Sequence, residues 1–451
     1  MERLTAFKAY DVRGRVPDEL DEELAYKIGR SFMRFIGGKR VAIGRDVRPS
    51  GPTFVEALSR GMTDEGARVF DIGLCGTEEL YFATFNNDLD GGVMVTASHN
   101  PADYNGMKFV RELAKPISAD TGLLEIGKSA VDYMPPAKGG GSVEPLESRE
   151  AYIEHLLGYI DVDSLKPLKV VVNAGNGCAG PVVDLLAKHL PFEFVKIFHE
   201  PDGTFPNGVP NPLLKENREA TRAKLLEEKA DLAIAWDGDF DRCFFFDEKG
   251  GFIEGYYLVG LFAEALLSKT PGAPIIHDPR LIWNTLDIVE KSGGEAVVSK
   301  SGHAFIKAKM RDVNALYGGE MSAHHYFRDF SYCDSGMIPW LLVTELICRE
   351  ERSLSSFVEE RQRLFPVSGE INLTVKDQRS AISTIRDKYE IDALGVDELD
   401  GISIAFDRWR FNLRSSNTEP VIRLNVEARG DKALLDEKTS ELLDTLAPFK
   451  V

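Results

Sequence analysis

Leu232-Ala233-Ile234-Ala235-Trp236-Asp237-Gly238-Asp239-Phe240-Asp241-Arg242-Cys243-Phe244-Phe245-Phe246 decides how the chain is read. An apolar run of strand length enters a loop with a carboxylate at every second position, and a second apolar strand leaves it. The same grammar recurs. Val41–Gly44, Val170–Asn173 and Pro274–His277 are short apolar strands running into polar loops, and each precedes a helical pattern, at 54–65, 182–190 and 282–292. Second strands follow at 68–72, 194–197 and 296–298, and third strands at 92–95, 232–235 and 315–317. Strand, helix, strand, helix, strand is the pattern of mixed or parallel α/β units. A period of about a hundred residues is too long for a solenoid, so three related α/β domains are expected. The tail differs: strands at 370–375, 401–406, 410–414 and 421–428 and a closing helix at 432–446 predict an α+β domain with an antiparallel sheet.

At 451 residues, three or four domains are expected. Proline- and glycine-rich Pro135–Ser142 and the charged helical stretch Ser353–Pro366 read as boundaries, and Gly250-Gly251 as a weaker one or a hairpin turn. The expected domains are 1–148, 149–250, 251–365 and 366–451. Lys and Arg number 54 against 72 Asp and Glu, a net charge of −18. That excess of acid argues against nucleic acid or an anionic membrane as partner. The five cysteines form no CxxC pair, which excludes a disulfide framework or zinc module and favours reduced thiols. The N-terminus has no signal-peptide pattern, and the longest apolar run, near Met337–Val343, is too short to span a bilayer. A cytoplasmic protein is expected.

In open α/β sheets, ligands sit beyond the carboxyl ends of strands. The third strand of each unit ends there in its most polar loop: Thr96–Pro101, Asp237–Arg242 and Gly319–His325. Three such loops point to one site assembled between domains. Asp237, Asp239 and Asp241 alternate along an extended segment, so their carboxylates converge and call for a hard cation, Mg²⁺ or Ca²⁺. Glu248 falls at the twelfth position of an EF-hand, but Arg242 stands where that loop needs glycine and strands flank the motif, so the EF-hand is excluded. Ser98 is either a turn-capping serine or a nucleophile polarised by His99 and Lys108. Arg414–Arg423 packs two guanidinium groups with hydroxyls and an amide, the inventory of a phosphate site. Glu320 and Ser322 suit vicinal sugar hydroxyls, and His324 a proton transfer. His303 and His325 are further candidates or structural histidines. Arg13 lies on a segment able to reach the same cleft. The loop Gly44–Ser50 reads as structural salt bridging.

Taken in order, Thr96-Ala97-Ser98-His99-Asn100-Pro101, Asp237-Gly238-Asp239-Phe240-Asp241-Arg242, Gly319-Glu320-Met321-Ser322-Ala323-His324 and Arg414-Ser415-Ser416-Asn417-Thr418 resemble the α-D-phosphohexomutase superfamily, most closely its bacterial phosphomannomutase branch. The resemblance covers nearly the whole chain. It implies four domains in a heart-shaped arrangement around one cleft. It implies reversible conversion of mannose 6-phosphate to mannose 1-phosphate through a phosphoserine and a sugar 1,6-bisphosphate, which also serves as activator. Ser98 would carry the phosphoryl group, with Asp237, Asp239 and Asp241 holding Mg²⁺ that also contacts Ser98. Glu320 and Ser322 would bind sugar hydroxyls. Arg414, Ser416, Asn417 and Thr418, with Arg423, would hold the other phosphate. Arg13, Lys108, His303 and His324 match positions of proton transfer or phosphate contact. Where some relatives carry a lysine, this chain reads His277-Asp278-Pro279-Arg280, so Arg280 is the candidate stand-in. The resemblance leaves glucose- or dual-specific and glucosamine-phosphate mutases open as alternatives. A metal-dependent phosphatase or silent binder is the reading from another class. A phosphosugar substrate and a monomer or homodimer are expected.

Overall fold

The strand Leu232–Trp236 is buried along its whole length and pairs in parallel with Lys169–Asn173, which pairs in parallel with Glu193–Ile197. On its other side the chain returns through a short loop as Cys243–Asp247, antiparallel. The computed structural model describes residues 4–132, 134–415 and 421–451. These divide into two units: Met1–Phe252 with Asp329–Glu351, and Ile253–Arg328 with Arg352–Val451.

The plan of that sheet occurs three times. In the first unit, Gly91–Val95 is parallel to Arg40–Arg45, itself parallel to Arg68–Leu74, and the chain turns back from Val95 as antiparallel Tyr104–Arg111. In the second unit, Tyr317–Gly319 is parallel to Pro274–His277, which is parallel to Glu295–Val298, and the return strand is His325–Phe327. Each polar loop therefore joins the carboxyl end of a buried parallel strand to an antiparallel neighbour. Backbone pairing on both sides makes such a loop a well-anchored platform. The third strand of the second unit lies two residues beyond the expected 315–317. Ala315 and Leu316 are buried, but they precede the ladder.

Packing in the N-terminal sheet depends on close helix approach. Helix Glu22–Ile36 is capped by Asp21, whose carboxylate accepts from Leu24 N–H at 2.7 Å, and it buries Leu24, Ile28 and Phe32. It crosses Gly51–Asp64 where Gly29 and Gly61 face backbone. A Cβ on Gly61 would lie 2.1 Å from the Tyr26 carbonyl oxygen, and one on Gly29 2.4 Å from that of Leu58. Larger residues would force these helices apart.

Helix Ile338–Glu350 belongs to the first unit although it lies inside the expected third sequence domain. Its N-terminus is held by the fully buried Glu78. That carboxylate accepts from Gly336 N–H at 2.5 Å, Met337 N–H at 3.2 Å and Ser335 Oγ at 2.9 Å, and also from Tyr152 OH. Burial pushes the Glu78 carboxyl up to about 8 despite these donors, and its oxygens satisfy amides that a helix N-terminus otherwise leaves orphaned.

The C-terminal sheet of the second unit is wholly antiparallel, in the order Ile371–Thr374, Val421–Ala428, Trp409–Ser415, Ile402–Ala405, Gly395–Asp397. Helix Lys432–Leu446 forms as expected. The sequence reading omitted helix Gln378–Tyr389, capped by Asp377 and burying Ala381, Ile385 and Tyr389, and the exposed edge strand Gly395–Asp397. Glu427 on Val421–Ala428 is fully buried. It accepts from Arg410 at 2.7 Å, Tyr256 OH at 2.6 Å and the amides of Ile282 and Trp283 at 2.8 and 3.1 Å.

Two stability predictions follow from these buried groups. Glu78→Ala strips four donors of their acceptor and should cost the first unit about 3 kcal/mol in urea denaturation followed by tryptophan fluorescence. A loss under about 1 kcal/mol would contradict the anchoring role. In the second unit, burial pushes the His325 imidazole down to about 3, with His324 acting in the same direction. As pH falls below 6.5, the unfolded chain binds a proton that the folded chain refuses, so stability drops by about 1.4 kcal/mol per pH unit for this group. The stability advantage of wild type over His325→Phe should therefore shrink between pH 6.5 and 4.5. A constant difference would show that His325 does not titrate in this way.

Candidate active site

The loop after Gly91–Val95 holds Ser98 in a left-handed conformation, φ 47°, and almost fully buried. Such a backbone costs a non-glycine residue energy unless its surroundings enforce it. Arg48 supplies that enforcement. Its guanidinium, with no solvent exposure, donates to the carbonyls of Ser98 at 3.0 Å, Asn100 at 2.6 Å, Pro101 at 2.6 Å and Tyr104 at 2.7 Å. Asp46 balances it at 3.3 Å and accepts from Thr96 Oγ1 at 2.7 Å, while Thr96 Oγ1 accepts from Ser98 N–H at 2.8 Å. The Gly44–Ser50 stretch thus does more than form salt bridges: it clamps the serine loop.

Ser98 Oγ lies 3.0 Å from Asp237 Oδ2, to which it donates, and 3.0 Å from His99 Nδ1. Arg242 donates to Asp237 Oδ2 through Nε at 2.8 Å and Nη2 at 2.7 Å, and to His99 Nδ1 at 2.6 Å. Burial, then the charges of Arg242 and Arg13, push the His99 imidazole down to about 2. His99 is therefore neutral, with its Nδ1 lone pair turned to Arg242. The approach of the two loops requires Gly238, because a Cβ there would stand 2.6 Å from the Ser98 carbonyl oxygen.

Asp237, Asp239 and Asp241 are buried and offer carboxylate oxygens within 4.8 Å of one another. Asp239 Oδ2 accepts from Thr77 Oγ1 at 2.5 Å and Lys108 Nζ at 2.7 Å, and Asp241 Oδ2 accepts from Lys108 at 2.6 Å. Burial disfavours the charged forms, yet the pairing with Lys108 holds Asp239 below the usual carboxylate range, and Asp239 and Asp241 raise Lys108. Three carboxylates face two nearby cations, Lys108 and Arg242. Among the described residues, Asp239 Oδ1 is buried with no hydrogen-bond partner. A hard donor set, a residual negative charge and an orphaned carboxylate oxygen fit a divalent cation such as Mg²⁺. Arg13 donates to Asn100 at 2.6 Å and Asp11 at 2.7 Å, and its charge reaches His99 and Lys108.

The second unit gathers another cluster. The loop between Tyr317–Gly319 and His325–Phe327 is closed by Glu320 N–H to the His324 carbonyl at 2.9 Å, with Ala323 at φ 69°. It carries Glu320, Ser322 and His324. Glu320 accepts from Gly302 N–H at 3.1 Å, and Arg280 approaches it to 3.6 Å. Gly302 directly precedes His303, the first residue of helix His303–Val313. Arg280 is forked onto Asp278 at 2.8 and 3.0 Å; burial would lower its pKa, but Asp278 raises it. Glu370 lies 3.3 Å from Arg414 and 3.5 Å from each of Arg280 and Arg423. Ser416, Asn417 and Thr418 lie outside the described residues. His325 sits in the core, bonded to Tyr317 OH at 2.7 Å and edge-on to Phe262.

The first unit therefore brings together Ser98, Asp237, Asp239, Asp241, Lys108 and Arg13, and the second Glu320, Ser322 and His324 on one loop, with Arg414 and Arg423 around Glu370. Sequence reasoning missed Arg48, Arg242 and Thr77 as parts of the first cluster. Arg242 was legible only as the residue that breaks an EF-hand. Arg48 and Thr77 act across long sequence separations that no local pattern shows.

Family models for phosphoglucomutase/phosphomannomutase match four segments in order. They are α/β/α domain I at residues 4–131, α/β/α domain II at 150–251, α/β/α domain III at 254–365 and the C-terminal domain at 370–444. A protein of Xanthomonas campestris pv. campestris described as phosphohexose mutases is 60% identical over 444 residues, covering 98% of this chain and 99% of that protein. The phosphomannomutase of Salmonella typhimurium is 57% identical over 454 residues, covering 99% of this chain and 100% of that protein. The crystal structure of a phosphoglucomutase/phosphomannomutase family protein from Burkholderia thailandensis is 36% identical with a TM-score of 0.89, covering 100% of this chain and 99% of that one. The chain belongs to the phosphoglucomutase/phosphomannomutase family.

Proposed function

We propose that this chain is a phosphomannomutase, an isomerase that interconverts mannose 6-phosphate and mannose 1-phosphate. The observation that carries the reading is the Ser98 hydroxyl, 3.0 Å from Asp237 within a buried three-carboxylate cluster. The full-length phosphomannomutase relative at 57% identity supports the choice of sugar.

In the active form Ser98 Oγ carries a phosphoryl group, supplied at first by a sugar 1,6-bisphosphate. The free hydroxyl of the substrate attacks phosphorus; the new O–P bond forms as the P–Oγ bond breaks. The hydroxyl proton passes to a histidine base, the role for which His324 and His303 are the two candidates. The 1,6-bisphosphate then turns end for end; Ser98 Oγ attacks the other phosphorus, the bond from that phosphorus to the sugar oxygen breaks as the new P–Oγ bond forms, and the freed sugar oxygen takes back the proton. Asp237, Asp239 and Asp241 would hold Mg²⁺, which would supply positive charge beside the group transferring at Ser98. Arg242 and Lys108 add fixed positive charge beside Ser98, and Arg13 is available to a phosphate oxygen. Lys108 is a cation here, since its carboxylate partners raise its pKa, and so serves charge stabilisation in place of proton abstraction. Arg48 keeps the nucleophile's loop rigid, so little reorganisation is needed at the moment of transfer. Glu320 and Ser322 hold the sugar hydroxyls. Arg414 and Arg423, with Ser416, Asn417 and Thr418, hold the phosphate that is not transferring, and Arg280 adds charge beside Glu320.

A dual mannose and glucose specificity is the second reading, favoured by the broader description of the 60% identical Xanthomonas relative. The two sugars differ only at C2. Contacts to other hydroxyls do not separate them. A reducing, cytoplasmic setting is supported by five cysteines that are all buried and unpaired by disulfides. Among the described residues, no helix is long and apolar enough to cross a membrane.

Two experiments test the function. Ser98→Ala should lower mutase activity by about 10³-fold or more. Intact-mass measurement after incubation with mannose 1,6-bisphosphate should find one phosphoryl group on wild type and none on the variant. Full activity in Ser98→Ala, or release of inorganic phosphate in proportion to substrate consumed, would overturn the mechanism. Separately, chelation should abolish turnover and added Mg²⁺ restore it. Turnover that survives exhaustive chelation would exclude the metal role.

A further inference from the structure

The contact expected to read the sugar, Glu320, does not orient itself. Its side chain has three rotatable bonds, and a carboxylate that reads a pair of hydroxyls needs its lone pairs aimed. The described contacts fix both oxygens. Oε1 accepts from Tyr326 OH at 2.5 Å, and Oε2 accepts from Gly302 N–H at 3.1 Å. The main-chain donor is fixed by the backbone and the Arg280 guanidinium lies 3.6 Å from Oε2, so on the Oε1 side the orientation is set by the phenol.

Tyr326 is itself held. It has no solvent exposure and sits on the return strand opposite Gly318. Its ring lies nearly parallel to that of His324, with centroids 6.1 Å apart and planes 20° apart. From helix His303–Val313, the fully buried Lys307 sets its Nζ 5.8 Å from the ring centroid. A cation over the face of a phenol ring draws electron density from it and makes the O–H a better donor. One side chain thus touches both groups assigned to the sugar end of the reaction, Glu320 by a hydrogen bond and His324 by ring contact.

We propose that Tyr326 is a positioning residue that aims the Glu320 carboxylate at a vicinal hydroxyl pair of the sugar and so sets how strongly that pair is recognised. The inference rests on the reading of Glu320 as a sugar contact. Tyr326→Phe removes one oxygen and leaves the packing. Steady-state kinetics of wild type, Tyr326→Phe, Glu320→Ala and the double variant would be measured with mannose 1-phosphate and its monodeoxy and vicinal dideoxy analogues. Tyr326→Phe should raise KM and lower kcat/KM about tenfold on the parent sugar. On the dideoxy analogue lacking both hydroxyls that Glu320 reads, Tyr326→Phe and wild type should be equal. In the Glu320→Ala background the Tyr326 change should have no further effect. A loss of the same size on every analogue that also persists without Glu320 would make Tyr326 merely structural and overturn the inference. If Glu320→Ala is costly and Tyr326→Phe is not, the inference fails alone. If Glu320→Ala costs nothing on the parent sugar, the sugar-contact reading fails and takes the inference with it. Fluorotyrosine at position 326 keeps the fold and strengthens the donor. It should shift KM for the parent sugar but not for that analogue; no shift in either would also overturn the proposal.

Discussion

Three carboxylates buried within 4.8 Å of one another repel strongly and stay ionised only among cations. Much of the first unit around Asp237, Asp239 and Asp241 answers that constraint. Arg242 takes both Nε and Nη2 to Asp237, Lys108 bridges Asp239 and Asp241, and Thr77 adds a hydroxyl. The constraint also bears on Ser98. Ser98 shares Asp237 with Arg242, and its loop is clamped by Arg48 through four carbonyl oxygens. A phosphoryl group on Ser98 would add negative charge at the same place, and a divalent cation is the group that would balance it. Net charge of −18 is thus a poor guide to ligands, since the local field around Ser98 is made by a few placed groups.

The same physical device holds distant parts of each unit together. Glu78 closes the N-terminus of Ile338–Glu350, and Glu427 accepts the amides of Ile282 and Trp283 at the start of Trp283–Lys291. In both cases a buried carboxylate receives backbone amides and a tyrosine hydroxyl, so its desolvation is offset by several donors at once. Such anchors leave the loops free of structural duty and available for chemistry.

Much of this was legible in the sequence, for a simple reason. A buried parallel strand is a short apolar run, and where it meets a dense polar loop the chemistry stands out. Thr96–Pro101, Asp237–Arg242 and Gly319–His325 were found that way. What stayed hidden acts over long separations or without an apolar signature. Arg48 binds backbone carbonyls about fifty residues away, which any sequence could offer. Asp329–Glu351 packs with the first unit through residues far away in the chain, among them Glu78, some 260 residues earlier, and Trp236. Helix Gln378–Tyr389 buries only a narrow stripe, and Gly395–Asp397 is exposed, so neither shows a strong pattern. Tyr326 stood just outside the quoted loop Gly319–His325, although its hydroxyl carries the contact to Glu320.

The central claim is that the carboxylates of Asp237, Asp239 and Asp241 form one divalent-cation site beside Ser98. Mn²⁺ titration followed by electron paramagnetic resonance tests it most directly. The account predicts one ion bound per chain, competed by Mg²⁺, with affinity lost in Asp239→Asn and Asp241→Asn and kept in Glu320→Gln. Stoichiometric binding that is indifferent to the aspartate changes would contradict it.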